Sequence, residues 1–262
     1  MRVRGTDKFI RLFFPVRCPV CDRPVAGLKR DSCPGCEERF VPVMRPRCAQ
    51  CSKPLPEDEE GVCADCMQTK HAYDKGVALY SYRSVADSLY RFKYMGRQEY
   101  AHFYASRFCA RYGAAIRALS PDAIVPVPAH KKREQKRGYN QAALFAREIG
   151  RRLRIPVRED LVRRTLPTAP QKELGVTERR NNLKNAFLLA RNDVKLKTII
   201  VVDDIYTTGA TIDAVAHIFR QCGVRRIYFA TIAIGGSQEP EQGNRKEQGN
   251  ERKKVRTLRQ DV

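Results

Sequence analysis

Asp203 and Asp204 stand side by side, and shortly after them comes Thr207-Thr208-Gly209-Ala210-Thr211. Ionised carboxylates only accept hydrogen bonds. Hydroxyls around a glycine can donate to an anion, and the glycine allows close backbone approach and a positive φ. Ahead of the acids, Thr198–Val202 is a β-branched run, which predicts a strand buried on both faces of a parallel sheet. Beyond the turn, Ile212, Val215, Ala216, Phe219 and Cys222 recur at helical spacing. A strand passing into a helix leaves the first helical N–H groups unpaired at the positive end of the dipole, and that makes an anion seat. Thr207, Thr208 and Thr211 are expected to add hydroxyl donors and to cap the helix. Two acceptors side by side suit the two hydroxyls of a cis-diol. Phosphate on the turn with a diol on the acids describes a ribose 5-phosphate. A plain buried strand, turn and helix explains neither acid. A nucleotide-hydrolase strand end needs G-x-x-x-x-G-K-[ST], and no glycine here is followed by lysine.

A second set of chemical groups lies near the start. Eight of the 10 cysteines form four C-x-x-C pairs: Cys18/Cys21, Cys33/Cys36, Cys48/Cys51 and Cys63/Cys66. Each of the first four has a counterpart thirty positions on, so the segment is an internal repeat. Two-residue spacing aims both thiolates at one ion, and two such knuckles close a tetrahedral Cys₄ site. Zinc is the expected ion, with iron the alternative for a Cys₄ set. Sequential pairing, 18/21 with 33/36 and 48/51 with 63/66, is expected, and an interleaved arrangement stays open. Both sites read as closed and structural. The segment carries too little apolar content for its own core, so its metal is expected to hold it. Cys109 and Cys222 fall on or beside apolar stripes and read as small core residues.

The elements that must position these groups follow from length and pattern. At 262 residues the chain suits one α/β domain plus a smaller module. No stretch has the roughly 20 apolar residues of a membrane helix, and the start of the chain lacks the pattern of a secretory signal. Membrane insertion is therefore not expected. With 50 Lys+Arg against 29 Asp+Glu, the charge of +21 favours phosphate-bearing partners. Strands are expected at Val77–Tyr82, Ala123–Pro128 and Arg226–Ile234, with a short one around Ile155–Val157. Helices are expected at Ser84–Tyr94, from Gln98 to about Leu119, from Gly138 through Gly150, and over Glu178–Asn185. The segment Ala129–Asn140 reads as a loop. Its Lys131, Lys132, Arg133, Lys136 and Arg137 suit a polyanion at the sheet's carboxyl edge. His130 opens the loop and is given no role. Arg163–Gly175 reads as a functional or mobile loop. Tyr90-Arg-Phe-Lys-Tyr-Met-Gly-Arg interleaves aromatic and basic residues, as a base-stacking strand would, but its helical spacing suits core packing better. The end of the chain, 236–262, has few apolar residues and repeats EQGN, and it is expected to be a disordered charged tail.

Four apolar residues, two acids, then Thr207-Thr208-Gly209-Ala210-Thr211 resembles the phosphoribosyl pyrophosphate (PRPP) motif of type I phosphoribosyltransferases. The resemblance implies that Asp203 and Asp204 hold the ribose hydroxyls. It implies that Thr207, Thr208, Gly209, Ala210 and Thr211 hold the 5-phosphate. Lys131, Lys132, Arg133 and Arg137 fall where the pyrophosphate-gripping loop belongs. A hood over the reacting centre would carry Arg164, Thr168, Gln171, Arg179 and Asn182, and Mg²⁺ would accompany PRPP. With the paired cysteine modules and VPVPAHKKREQKRGYNQA, the chain is similar, over about residues 15–235, to the ComF family of bacterial competence-associated proteins. That resemblance implies a double zinc ribbon over 15–70 with two structural Zn²⁺ ions. It implies a type I phosphoribosyltransferase fold, a mostly parallel sheet flanked by helices, over 76–235. It also implies a cytoplasmic role linked to natural transformation, with single-stranded DNA and competence proteins such as a DNA helicase as partners.

Two functions of different class follow. One is a phosphoribosyl-transferring enzyme, whose catalytic residue and nucleophile the residues do not identify. The other is a non-catalytic accessory protein that binds single-stranded DNA.

Overall fold

Hydrophobic alternation on one strand sets the architecture. The computed structural model describes residues 15–25, 30–165, 186–191 and 195–235. The start of the chain, the expected helix over 178–185 and the tail 236–262 lie outside the described residues. Strand β5 (Thr198–Tyr206) sits inside a four-stranded parallel sheet of order β1-β6-β5-β2, where β1 is Lys75–Ser81, β2 Ala123–Pro126 and β6 Arg226–Ile234. Ile199 and Val201 of β5 enter one core with Ile227 and Phe229 of β6, while Ile200 and Val202 enter the other with Ala230 and Ile232. Successive side chains on a strand point to opposite faces, so both faces need cover. Helix α6 (Ala210–Gln221) covers the first face, through Ile212, Val215, Ala216 and Phe219. Helices α2 (Tyr82–Tyr94), α3 (Tyr100–Ala118) and α5 (Gln141–Leu153) cover the second, through Leu89, Phe92, Phe108 and Phe145 among others. A two-stranded antiparallel ribbon, β3 (Val162–Arg164) with β4 (Phe187–Leu189), lies beside α6.

Several expectations are corrected in detail. β5 does not stop at Val202 but continues through both acids to Tyr206. Ile155–Val157 is a single parallel bridge, Val157 to Ile124, rather than a strand. The basic segment is not a loop: Lys131–Arg137 forms a short helix, α4. The His130 side chain accepts from Lys132 N at 3.3 Å at its start, and Gly138, at φ 81°, ends it in the left-handed conformation.

The cysteine-rich segment is not a separate bead on the domain. Its Phe40 is buried against Tyr80, Phe103 and Tyr104. Its backbone continues the sheet past β1: Ser81 N donates to Val41 O at 2.8 Å, and Val43 N to Leu79 O at 3.0 Å. This pairs an edge that would otherwise be open. The module therefore borrows the core it cannot build from its own apolar content. Arg97 adds a two-pronged contact to Asp22, at 2.8 and 3.0 Å, which holds Asp22 below the usual carboxylate range despite its burial.

Candidate functional site

β2 ends opposite Val202, and the last backbone contact on that side is Val127 N donating to Val202 O at 2.8 Å. β5 runs on past the end of β2, so Asp203 and Asp204 stand, partly buried, at the sheet's carboxyl edge. Asp203 Oδ1 accepts from the Asp204 backbone N–H at 2.8 Å. Lys93, near the end of α2, places its Nζ 3.0 Å from Asp204 Oδ2. Burial, with the neighbouring Asp204 charge adding to it, pushes the Asp203 carboxyl up to about 7. The Asp204 N–H bond and the Lys93 and Arg164 charges pull the other way. The pair is thus a desolvated acid beside an acid neutralised by lysine, which is a poor arrangement for packing alone and a ready one for hydroxyl donors and cations.

The turn that follows is shaped by one close approach. Gly209 has φ 79°, and a Cβ there would fall 2.6 Å from Tyr206 Oη. Only glycine meets both demands. Gly209 itself is the N-cap of α6, so the expected capping by threonine is corrected: no side chain caps the helix, and the nearest contact is Ala210 N to Thr208 Oγ1 at 3.4 Å. Thr207 is exposed, and Thr208 and Thr211 are partly exposed. The first N–H groups of this 12-residue helix lack intrahelical partners and stand at the positive end of its dipole.

Cations come to this edge from three elements. Lys131, Lys132 and Arg133 stand exposed on α4. Arg164, on β3, stacks over Phe187 at 5.3 Å and lies within electrostatic reach of Arg133 and Asp203. Its pKa is lowered, first by burial and then by the Arg133 charge. Arg137 is directed differently: its guanidinium sits 4.7 Å over the Tyr94 ring, donates to Tyr94 Oη at 2.9 Å and to Gln141 Oε1 at 3.1 Å. Of the expected hood, only Arg164 is described; Thr168, Gln171, Arg179 and Asn182 lie outside the described residues. Tyr73 carries no motif of its own, whereas Tyr206 stands between the acids and the threonines, and Lys93 lies in the interleaved stretch Tyr90–Arg97.

The eight paired cysteines gather as expected for sequential pairing, Cys18, Cys21, Cys33 and Cys36 in one cluster and Cys48, Cys51, Cys63 and Cys66 in another. Within each, all sulfurs lie within 4.8 Å of one another. The Cys21–Cys33 and Cys51–Cys63 sulfur separations are 3.8 and 3.6 Å. A tetrahedron with Zn–S of about 2.3 Å has edges of about 3.8 Å, so both sets fit zinc. Backbone N–H groups point at the sulfurs, with Cys33 N to Cys18 Sγ at 3.4 Å and Cys63 N to Cys48 Sγ at 3.2 Å. These donors support thiolates.

A cavity of about 1300 Å³ lies elsewhere, between the first cysteine cluster and helices α3 and α5. Neither acid nor any residue of the turn lines it. Three of its lining charges, Arg107 with Asp31 and Glu37, already satisfy one another.

Comparison with known proteins matches this division. Residues 9–67 match the double zinc ribbon domain family, and residues 140–258 match the phosphoribosyl transferase domain family. Competence protein F of Haemophilus influenzae is 40% identical over 115 residues, which are 43% of this chain and 50% of that protein. DNA utilization protein YhgH of Escherichia coli (strain K12) is 36% identical over 107 residues, 41% of this chain and 47% of that one. Competence protein ComFC of Bacillus subtilis is 32% identical over 150 residues, 56% of this chain and 58% of that one. The chain spans about half the length of the curated relatives it matches. No helix among the described residues is long and apolar enough to cross a membrane.

Proposed function

The chain belongs to the ComF family, and on that premise we propose that it binds PRPP with Mg²⁺ at the carboxyl edge of its sheet and transfers the phosphoribosyl group. What supports this reading is that the Asp203–Asp204 pair meets Lys93 of α2 and lies within reach of Arg164 of β3, itself near Arg133 of α4, just ahead of the glycine-capped start of α6. The acids accept the ribose diol. The α6 N–H groups and the hydroxyls of Thr207, Thr208 and Thr211 hold the 5-phosphate. Lys131, Lys132, Arg133 and Arg164 neutralise the pyrophosphate as it leaves. When bound, Mg²⁺ adds charge neutralisation across the pyrophosphate and ribose oxygens. Asp203, which burial leaves about half protonated at neutral pH, ionises fully when diol and cation arrive, so ligand binding releases part of a proton. Thermal unfolding with PRPP, with and without Mg²⁺, tests binding, and pyrophosphate release against a panel of bases and amines tests transfer. No PRPP-dependent rise in Tm would remove this reading.

A second reading has its own observation. Phe92 packs inward as the helical spacing predicts, but Tyr90, Tyr94 and Met95 are 57, 55 and 50% exposed. The two tyrosine rings lie 5.1 Å apart, with Arg137 over one of them. An exposed aromatic pair among cations suits stacking of unpaired bases. This supports a strand-binding role, in keeping with the DNA-related names of the relatives, alongside or instead of transfer.

A further inference from the structure

The two four-cysteine sites stand in unlike relation to the phosphate turn. The first is tied to α2 and α3: Arg97 and Tyr100 bind Asp22, and Arg91 donates to the carbonyls of Pro19 and Val20. None of these groups is hydrogen-bonded to the phosphate turn or to α6, although α2 also carries Lys93 on Asp204. The second site sits in the other core. Cys48, Cys51 and Cys66 are buried in one cluster with Tyr73, Tyr206, Ala210 and Val215.

Two routes join that second site to the turn. The chain leaving Cys66 forms a strap along α6 and β6. On it, His71 Nδ1 lies 2.5 Å from Asp213 Oδ2, and Ala72 N donates to Asp213 Oδ1 at 2.9 Å. Arg220 donates to Ala72 O at 2.8 Å and to Asp74 Oδ1 at 2.7 Å, and Asp74 Oδ2 accepts from Ile227 N at 2.7 Å. The second route runs through the sheet. Gly76 N donates to Gln50 O at 2.8 Å, and Gly76 O accepts from Ser52 Oγ at 2.9 Å. Phe229 fills the space a Cβ on Gly76 would need, at 2.1 Å, and stacks on Tyr206 with centroids 4.9 Å apart. Both routes meet at the tyrosine pair, Tyr73 Oη to Tyr206 Oη at 2.7 Å, directly beneath Gly209.

We propose that the second four-cysteine site positions the phosphate turn, with Tyr73 and Tyr206 as positioning residues, and that the first site does not. The proposal rests on the ribose-phosphate reading for its consequence, though not for the coupling itself. Ordering the second knuckle fixes the strap and Gly76, these fix the tyrosine pair, and the pair sets Gly209 and the first turn of α6. An ångström of displacement there is enough to lose an anion held by several N–H groups at once.

The test uses the full-length, zinc-loaded chain with matched substitutions, Cys33→Ser in the first site and Cys63→Ser in the second, and with Tyr73→Phe and Tyr206→Phe. Each is read by zinc content, by hydrogen exchange of the segment 206–214, and by PRPP affinity in Mg²⁺. Cys63→Ser is expected to raise exchange across 206–214 and weaken PRPP binding by about tenfold or more, whereas Cys33→Ser leaves exchange across 206–214 within about twofold. The two Phe variants keep both metals yet weaken PRPP binding by about fivefold. Equal effects of the two cysteine variants on exchange would overturn the coupling. So would Phe variants that match the parent in exchange and affinity, and these decide the matter alone if Cys63→Ser does not fold. If the parent chain binds no PRPP, the ribose-phosphate reading falls by itself, and the exchange comparison still decides the coupling.

Discussion

Lys93 Nζ stands 3.0 Å from Asp204 Oδ2, at the point where β5 outruns β2. A lysine from a helix thus neutralises one acid of a pair whose other member burial pushes up to about 7. On the proposed reading, a diol that takes its place on Asp204 leaves the ammonium free to pair with the leaving group. Lys93→Ala is expected to weaken PRPP binding by about tenfold. Ribose 5-phosphate, which lacks the pyrophosphate, should lose only about twofold. Calorimetric titration with the two ligands separates these outcomes, and equal losses would make Lys93 merely structural.

The Asp203 carboxyl gives a pH signature. Its value in the folded chain, about 7, lies above the ordinary 3.8. The folded state therefore binds the extra proton, and stability falls as pH rises from about 4 to about 7. Asp203→Asn removes that penalty. It should raise Tm at pH 8, by about 1–2 kcal/mol of stability after allowance for partial solvation, and leave it nearly unchanged at pH 4. PRPP affinity of the parent should move oppositely, rising from pH 6 to pH 8, because the ionised pair accepts the diol. Thermal scans across pH with both proteins check both signs.

Two glycines of like φ make a controlled comparison. Gly209 at 79° has Tyr206 Oη in the way of a side chain, while Gly223 at 82° has nothing within 4 Å. Gly223→Ala should cost about 1 kcal/mol and keep PRPP binding. Gly209→Ala should cost about 2–3 kcal/mol and abolish the PRPP-dependent rise in Tm. Denaturant titration with and without ligand measures both.

Metal removal probes the borrowed core. Elemental analysis should return two zinc ions per chain, one per cysteine cluster. Chelation should loosen Phe40 and the backbone pairing of Val41 and Val43 on β1, and so lower the Tm of the whole domain rather than only of the module. A single domain transition unchanged by chelation would contradict that sharing.

The exposed tyrosine pair tests the strand-binding reading. Tyr90→Ser with Tyr94→Ser should weaken binding of a single-stranded oligonucleotide by about 1–3 kcal/mol per lost stack, with PRPP binding kept. Filter binding at several salt concentrations would also show the steep salt dependence that phosphate contacts demand. Unchanged affinity in the double variant would leave charge, not stacking, as the cause.

Local rules reached much of this protein. The buried strand, its acids, the Gly-centred turn and the amphipathic helix lie within one short segment, so periodicity and turn chemistry report them directly. The cysteine spacing reports metal geometry for the same reason, since two residues between thiolates suffice to aim them at one ion. What the chain could not declare locally was which surfaces meet. The basic segment looked like a loop because charge hides a seven-residue helix that has no apolar face, and it forms under a histidine cap and a left-handed glycine. Lys93, Arg164 and Tyr73 join the site from elements 110, 39 and 130 positions before Asp203, brought there by sheet order alone. The cysteine spacing predicts a module held by its metals, and packing adds that Phe40 and the strap to α6 make it part of the domain. Spacing along a chain settles what a group can do, and packing across the sheet settles what it does it with.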